Sequence, residues 1–378
     1  MRSKRAFALV LALLVTSGVA AACGDDDSTT TQAPGATAAP GAWEPEFVDG
    51  VLQPLPDGFP SETIQLLVVD DAASDDGIYA RQFQEVAQNM SPVNIQVVDK
   101  PELGGYGTWE GLNWAQGEPG GAEGHVMIVV TVPGSTADLI TTPVAQDLGV
   151  SMESLNFVMM TEAVPYLVLG RTGAPWGESF QEFVDYAAAN SGEIRYISRG
   201  PGAGLNVAFQ TYMQAGGFDV ETVIGGSLEE INLVVGAGEG DVAVNIPGVS
   251  RPFIEDGRLV ALACTGDSPC EVAGKTIPNA GSVLNIPLDP WGSNRGMVVH
   301  PDAPDLHREW LEVLMREVIK DAGFQEGRKR VPALNLVEYD NAKALELQIV
   351  AYNQGWDILS SVGLLDPSVT EKDPAAGG

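Results

Sequence analysis

From residue 61 onward, short apolar runs alternate with stretches of helical periodicity, and this alternation constrains the fold more than any other feature of the chain. IQLLVV (Ile64 to Val69) has the composition of a buried strand. It is followed by a turn and by IYARQFQEVAQNM, in which Tyr79, Phe83, Val86 and Met90 fall on one helical face. IQVV (Ile95 to Val98), HVMIVV (His125 to Val130) and LVLG (Leu167 to Gly170) repeat the strand signal. RYIS (Arg195 to Ser198), DVAVN (Asp241 to Asn245), LVALA (Leu259 to Ala263) and GMVVH (Gly296 to His300) do so again. The end of the chain reads as mainly helical, from Pro304 to about Ile319 and from Tyr339 to about Leu359. Strands separated by helices predict the α/β class, with parallel sheets and crossover connections. With 378 residues, 44% of them hydrophobic, the chain can build two α/β lobes: a first lobe over 44–165, a second over 166–284, and a return to the first over 285–378. Ligands in such sheets sit beyond the carboxyl ends of the strands, and a cleft between lobes is the favoured place.

The N-terminus has the form of an export signal over residues 1–22: Arg2, Lys4 and Arg5, then the apolar run Ala6 to Val15, then small residues. That run is too short to span a bilayer, which needs about 20 residues. VAAAC (Val19 to Cys23) resembles a bacterial lipoprotein cleavage box, in which the cysteine becomes the lipidated first residue; plain cleavage near Ala22 and release of a soluble protein is the alternative that the same residues allow. The following GDDDSTTTQAPGATAAPGA is polar and without apolar period, and predicts a disordered tether over 23–43 that would hold the body on the order of 25 Å from the membrane. The expected location is therefore extracytoplasmic, at the cell membrane. Cys264 and Cys270, spaced CTGDSPC in an exported chain, are expected to form a local disulfide.

Charge and motifs narrow the chemistry. The 20 Lys+Arg against 51 Asp+Glu give a formal charge of -31, which disfavours nucleic acid and anionic membrane surfaces as direct partners. His125, His300 and His307 stand in no metal-binding spacing, and no GxSxG elbow occurs, so nothing supports catalysis, a metal or a cofactor. The glycine-rich stretch ISRGPGAGLN (Ile197 to Asn206) lacks the Lys-Ser/Thr of a P-loop and the spacing of a dinucleotide fingerprint. A Gly-rich turn between strand and helix still lets a ligand approach closely and points amides and a helix dipole at an anionic group; a tight turn with no ligand is the plainer reading.

The order of segments adds to this. SRGPGAGLN is preceded by FVDYAAANSGEIRY and followed by GGFDVETVIGGSLEEINLVVGAGEGDVAVN and IEDGRLVALACTG. Together with VVDKPELGGYG, IYAR, TIPNAGSVLNI and GMVVHPDAP, over roughly residues 61 to 360, this resembles the tripartite tricarboxylate transporter substrate-binding family, also called Bug proteins. The resemblance implies a type 2 periplasmic-binding fold and two lobes closing over a small carboxylate. It also implies delivery to a two-protein membrane permease driven by an ion gradient, and a single-chain clamp that needs no oligomer. By the same resemblance Ser198, Gly200, Gly202, Ala203 and Gly204 would form the carboxylate-binding turn of the second lobe, with Gly225 to Ser227 beside it. Arg199, a departure from the family in the middle of the turn, and Asn245 are further candidate ligand-binding residues, Arg199 through paired hydrogen bonds to a carboxylate or else as a plain surface arginine. Ala73, Ser74, Asp75 and Asp76 would form the other half of the clamp, with Gly104 and Gly105 adjacent. This chain departs from the family at VDDAASDDG (Val69 to Gly77), where Asp70, Asp71, Asp75 and Asp76 flank the anion site. Either Asp75 or Asp76 caps the following helix, or the acids face the cleft and favour an amine-bearing or zwitterionic ligand. A receptor that presents its ligand to a sensor kinase is the alternative role.

Overall fold

The computed structural model describes residues 43–103, 106–200, 203–361 and 363–376. The predicted export signal, Cys23 and the tether up to Ala42 lie outside the described residues, as do Gly104, Gly105 and Gly202. Two mixed sheets organise the body. In the first, the spatial order is Asn335–Tyr339, Asn156–Ala163, Asn294–Val299, Val126–Val132, Ile64–Val68, Ile95–Asp99. In the second it is Leu259–Cys264, Leu167–Arg171, Val242–Asn245, Arg195–Ser198, Glu221–Ile224.

Both faces of each sheet are covered, so the central strands are buried almost throughout, and this is why their sequences are apolar runs rather than alternating ones. On one face of the first sheet lie the helices Asp75–Ala87 and Asp305–Lys320; on the other lie Thr108–Gly117, Gly134–Thr141 and Asn341–Ser361. In Asp305–Lys320 the buried Trp310, Leu311, Leu314, Met315, Val318 and Ile319 follow the helical period and fix which face turns inward. Helix Asn341–Ser361 also sends Ala351 and Ile358 into the core of the second lobe, so it packs on both. Among the described residues no helix is long and apolar enough to cross a membrane.

The α/β class agrees with the sequence; the strand directions agree only in part. Ile64–Val68 runs parallel to both its neighbours, and Arg195–Ser198 to both of its own, as crossover helices require. Asn294–Val299 and Leu167–Arg171 run antiparallel to theirs. The reason is the way the chain passes between sheets. Only Val164, Pro165 and Tyr166 separate Asn156–Ala163 from Leu167–Arg171, and a link of that length leaves no room for a crossover helix.

The two passages between the sheets are laced together. Ser293 N–H donates to the Val164 carbonyl at 2.8 Å, and Thr265 N–H to the Tyr166 carbonyl at 3.0 Å. The Thr265 hydroxyl accepts from Tyr166 N–H at 2.8 Å and donates to the Trp291 carbonyl at 2.6 Å. Backbone polar groups in such links are costly when buried without partners, and here one threonine serves both strands of the connection.

Cys264 and Cys270 are free, buried thiols rather than the expected disulfide. The Cys264 thiol is directed at the Ile277 and Pro278 carbonyls, at 3.5 and 3.6 Å, within the small hairpin that follows its strand. A hydrogen bond with Cys264 and burial push the Cys270 thiol up from its ordinary range.

Candidate functional site

Helix Asp75–Ala87 begins where the Ile64–Val68 strand ends. Ser74 is its N-cap, accepting from Gly77 N–H at 3.1 Å, so neither Asp75 nor Asp76 has the capping role that the sequence left open. Asp76 turns inward instead: it accepts from Arg295 Nε at 2.6 Å and from the Thr131 hydroxyl at 3.0 Å. Arg295 donates its Nη1 to Glu162 at 2.7 Å, and Glu162 is wholly buried. Arg328, also buried, grips the same carboxylate through Nε and through Nη2 at 2.9 Å, and donates Nη1 to Gln82 at 3.0 Å. Both guanidinium carbons lie within 6 Å of the centroid of the buried Tyr79 ring, at 5.8 and 5.5 Å. Burial alone would lower the Arg295 pKa, but the charges of Asp76 and Glu162 outweigh it and hold the guanidinium more firmly protonated. Burial and the Glu162 charge push the Tyr79 hydroxyl up.

This network forms one wall of a cavity of about 350 Å³, which the second lobe closes from the other side. From the first lobe Asp75, Arg295, Arg328 and Arg330 line it; from the second come Ile246, Pro247 and Gly248, the start of helix Pro247–Glu255. Val164 and Ser293, from the two passages between the sheets, line it too, together with the apolar Ile78, Val331 and Pro332. No side chain caps helix Pro247–Glu255. Pro247 has no N–H and Ile246 N–H is taken by Asn245, so the first-turn amides without an acceptor in the helix are those of Gly248, which lines the cavity, and Val249, beside the positive end of the dipole. Arg330 is exposed and enters no hydrogen bond or ion pair with a described residue. A cavity of this size with convergent polar groups suits a small polar molecule.

The remaining residues singled out in the sequence are placed elsewhere. Ala73 is exposed, and Asp70 and Asp71 are exposed on the same loop. Asn245 was expected at the ligand, but it is fully buried and its side chain is committed: Nδ2 donates to the Leu228 carbonyl and to Asn232 Oδ1, both at 2.8 Å, and Oδ1 accepts from Ile246 N–H at 2.8 Å. It orients the start of helix Pro247–Glu255 rather than touching the cavity. Ser198 is likewise buried and holds the glycine turn, donating to Asn206 Oδ1 at 3.0 Å and accepting from Gly200 N–H at 3.1 Å. Gly200 adopts a φ of +133°, open only to glycine, which accounts for that residue without a ligand. Arg199 is exposed and donates to the Gly226 carbonyl at 3.2 Å, tying the turn to its neighbour. Ala203 and Gly204 begin helix Gly204–Gly216, again without a side-chain cap. None of these lines the 350 Å³ cavity; Ser198 and Asn206 border a smaller hollow of about 200 Å³ closed by Ile358 and Leu359.

Of the predicted positions, Asp75 alone reaches the cavity wall among the described residues. Glu162, Arg295, Arg328, Arg330 and the 246–248 helix start were missed. A signal existed for some of them: Glu162 is the single charged residue in the buried NFVMMTEA strand, and Arg295 is the single charged residue of the buried NRGMVV strand. A charge in a fully buried strand requires a partner. The three histidines have structural settings. His307 bridges the Glu123 carbonyl and Asp57 and stacks on Phe59, His125 accepts from Ser61 N–H, and His300 accepts from Asp302 N–H.

No family model matches the chain, and no curated protein does. Solved structures do. A TctC solute binding protein from Polaromonas is 18% identical, with a TM-score of 0.68 over 80% of this chain and 99% of that one. The periplasmic binding protein BugD is 17% identical, with a TM-score of 0.55 over 81% and 99%. MatC from Rhodopseudomonas palustris, with bound malate, is 16% identical, with a TM-score of 0.53 over 80% and 100%. The chain has the two-lobe α/β fold of these proteins, as the sequence resemblance implied.

Proposed function

We propose that this chain is an extracytoplasmic solute-binding protein that captures a small carboxylate-bearing metabolite between its lobes. It then delivers the ligand to the two-protein membrane permease of a tripartite tricarboxylate-type transporter. The observation that carries this reading is the cavity itself: a space of about 350 Å³ where an unpaired guanidinium, Arg330, and an uncapped helix N-terminus meet from opposite lobes. Malate bound by MatC, a protein of the same fold, is in keeping with it. The predicted export signal and Cys23 support a place outside the cytoplasm on a lipid anchor.

The chemistry is binding without turnover. An incoming carboxylate accepts paired N–H bonds from Arg330 and amide bonds from the first turn of helix Pro247–Glu255. Because the two sets of donors sit on different lobes, the ligand interacts more strongly with a closed arrangement than with an open one, and that difference drives closure. The apolar Ile78, Val331 and Pro332 exclude water from the bonds so formed and strengthen them.

A thermal-shift screen of the purified protein against mono-, di- and tricarboxylates tests the reading. A true ligand at a hundredfold excess over Kd raises apparent stability by about 2.7 kcal/mol. Arg330→Ala should weaken binding by roughly tenfold or more, the worth of a charge-assisted hydrogen bond, with an unchanged melting temperature in the absence of ligand. The reading falls if no carboxylate binds, or if Arg330→Ala binds as the parent does.

A further inference from the structure

We infer that the ligand carries a cationic group as well as a carboxylate, so that the cleft takes a zwitterionic, amino-acid-like solute with its ammonium against Asp75. This rests on the proposed function and refines it. The argument begins with charge balance. Three guanidiniums line the cavity, those of Arg295, Arg328 and Arg330, and three carboxylates belong to the same cluster: Asp75 on the wall, with Asp76 and Glu162 behind it. Arg328 is engaged on all three of its nitrogens by Glu162 and Gln82, and Arg295 by Asp76 at Nε and Glu162 at Nη1, with Asp75 3.9 Å from its Nη2. Arg330 is therefore the one free cation of the wall among the described residues, and Asp75, held only by a 3.9 Å ion pair to Arg295, its most loosely held anion.

Asp75 has little structural task beyond a long ion pair with Arg295. Ser74 already caps the helix, and Asp76 already pairs with Arg295. The Asp75 carboxylate is 64% exposed and stands 3.9 Å from Arg295 Nη2, too far for a hydrogen bond. Its oxygens are available to an ammonium group in the cavity. A ligand with only carboxylates would bring one or two uncompensated charges into a balanced cluster, facing Asp75 and next to the exposed Asp70 and Asp71. A ligand with one carboxylate and one ammonium preserves the balance. It places its carboxylate at Arg330 and the helix amides and its ammonium at Asp75.

The test is isothermal titration of the purified protein with matched pairs that differ only in an amine: L-alanine and propionate, L-aspartate and succinate, 4-aminobutyrate and butyrate. In at least one pair the amino compound should bind about tenfold or more tighter than its partner, the scale of one charge-assisted bond. Asp75→Asn, at an exposed position that folding does not require, should abolish that preference and leave the amine-free partner bound as well as before or better. Equal or tighter binding of the amine-free compounds overturns the inference while the proposed function stands. A preference that survives Asp75→Asn overturns the role of Asp75. If no compound of either kind binds, the carboxylate reading falls and this inference with it.

Discussion

The two walls of the cleft are built on different principles. The first lobe meets the cavity with charged side chains, Asp75, Arg295, Arg328 and Arg330, of which the two buried arginines are seated on an ion network. The second lobe meets it with backbone, the Ile246 to Gly248 helix start, and contributes no charged side chain among the described lining residues. Charged side chains can discriminate between ligands of different charge, whereas amides at a helix end accept any anion. On the proposed function, selectivity would belong to the first lobe and a general hold on the ligand to the second.

The sharpest way to break this comparison is Glu162→Gln. It leaves Arg295 and Arg328 short of the carboxylate that compensates both, and losing one partner of a buried ionic cluster costs about 3–5 kcal/mol. Urea unfolding should show the loss, and a change under about 1 kcal/mol would mean that the cluster is not what holds the first-lobe wall.

Asp289 sharpens the contrast, because it is a buried carboxyl whose hydrogen bonds come from the Tyr212 hydroxyl at 2.6 Å, from Trp291 N–H at 3.3 Å and from the Gly266 backbone, with no guanidinium among them. Burial pushes it up to about 7, against roughly 4 in the unfolded chain. The folded protein thus keeps a proton that the unfolded chain has lost, and stability falls as pH rises from about 4 to about 7. Asp138, which burial also pushes up to about 7, adds a parallel decline. Asp289→Asn should flatten the fall by a few kcal/mol, at about 1.4 kcal/mol per unit of pKa difference. Melts at pH 4.5 and 7.5 check this, and an unchanged slope would refute it.

The smallest effect concerns the glycine turn. Gly200→Ala should cost about 1 kcal/mol or somewhat more, because alanine disfavours a φ of +133°, with the affinity of the cleft unaltered. A large loss of binding at full stability would return the turn to the ligand site and make the second wall more than the 246–248 helix start.

Much of the fold was legible along the chain. Helix Asp75–Ala87 and strands such as Ile64–Val68 and Arg195–Ser198 follow from apolar period, and their neighbours within four residues carry that signal. Strand direction was not legible, because it depends on whether the chain returns by a crossover helix or passes through a short link. The candidate site was less legible still. The glycine turn stood out because glycine marks unusual backbone, yet unusual backbone is needed to turn a chain as well as to bind an anion. Asn245 stood at a strand end, where ligands gather, and its side chain points the other way, into the bonds that set helix Pro247–Glu255.

The sequence by itself determined the α/β class, the positions of most strands and helices, and the presence of acids at the start of the first helix, since each is settled by residues close in the chain. Only the tertiary structure decided what those acids face. Asp76, Glu162, Arg295 and Arg328 lie far apart in sequence and compensate one another because the sheet order sets Asn294–Val299 beside Asn156–Ala163. A buried charge is tolerated only with its partner in place, and the partner is chosen by which strands adjoin in space, a property that no local pattern encodes.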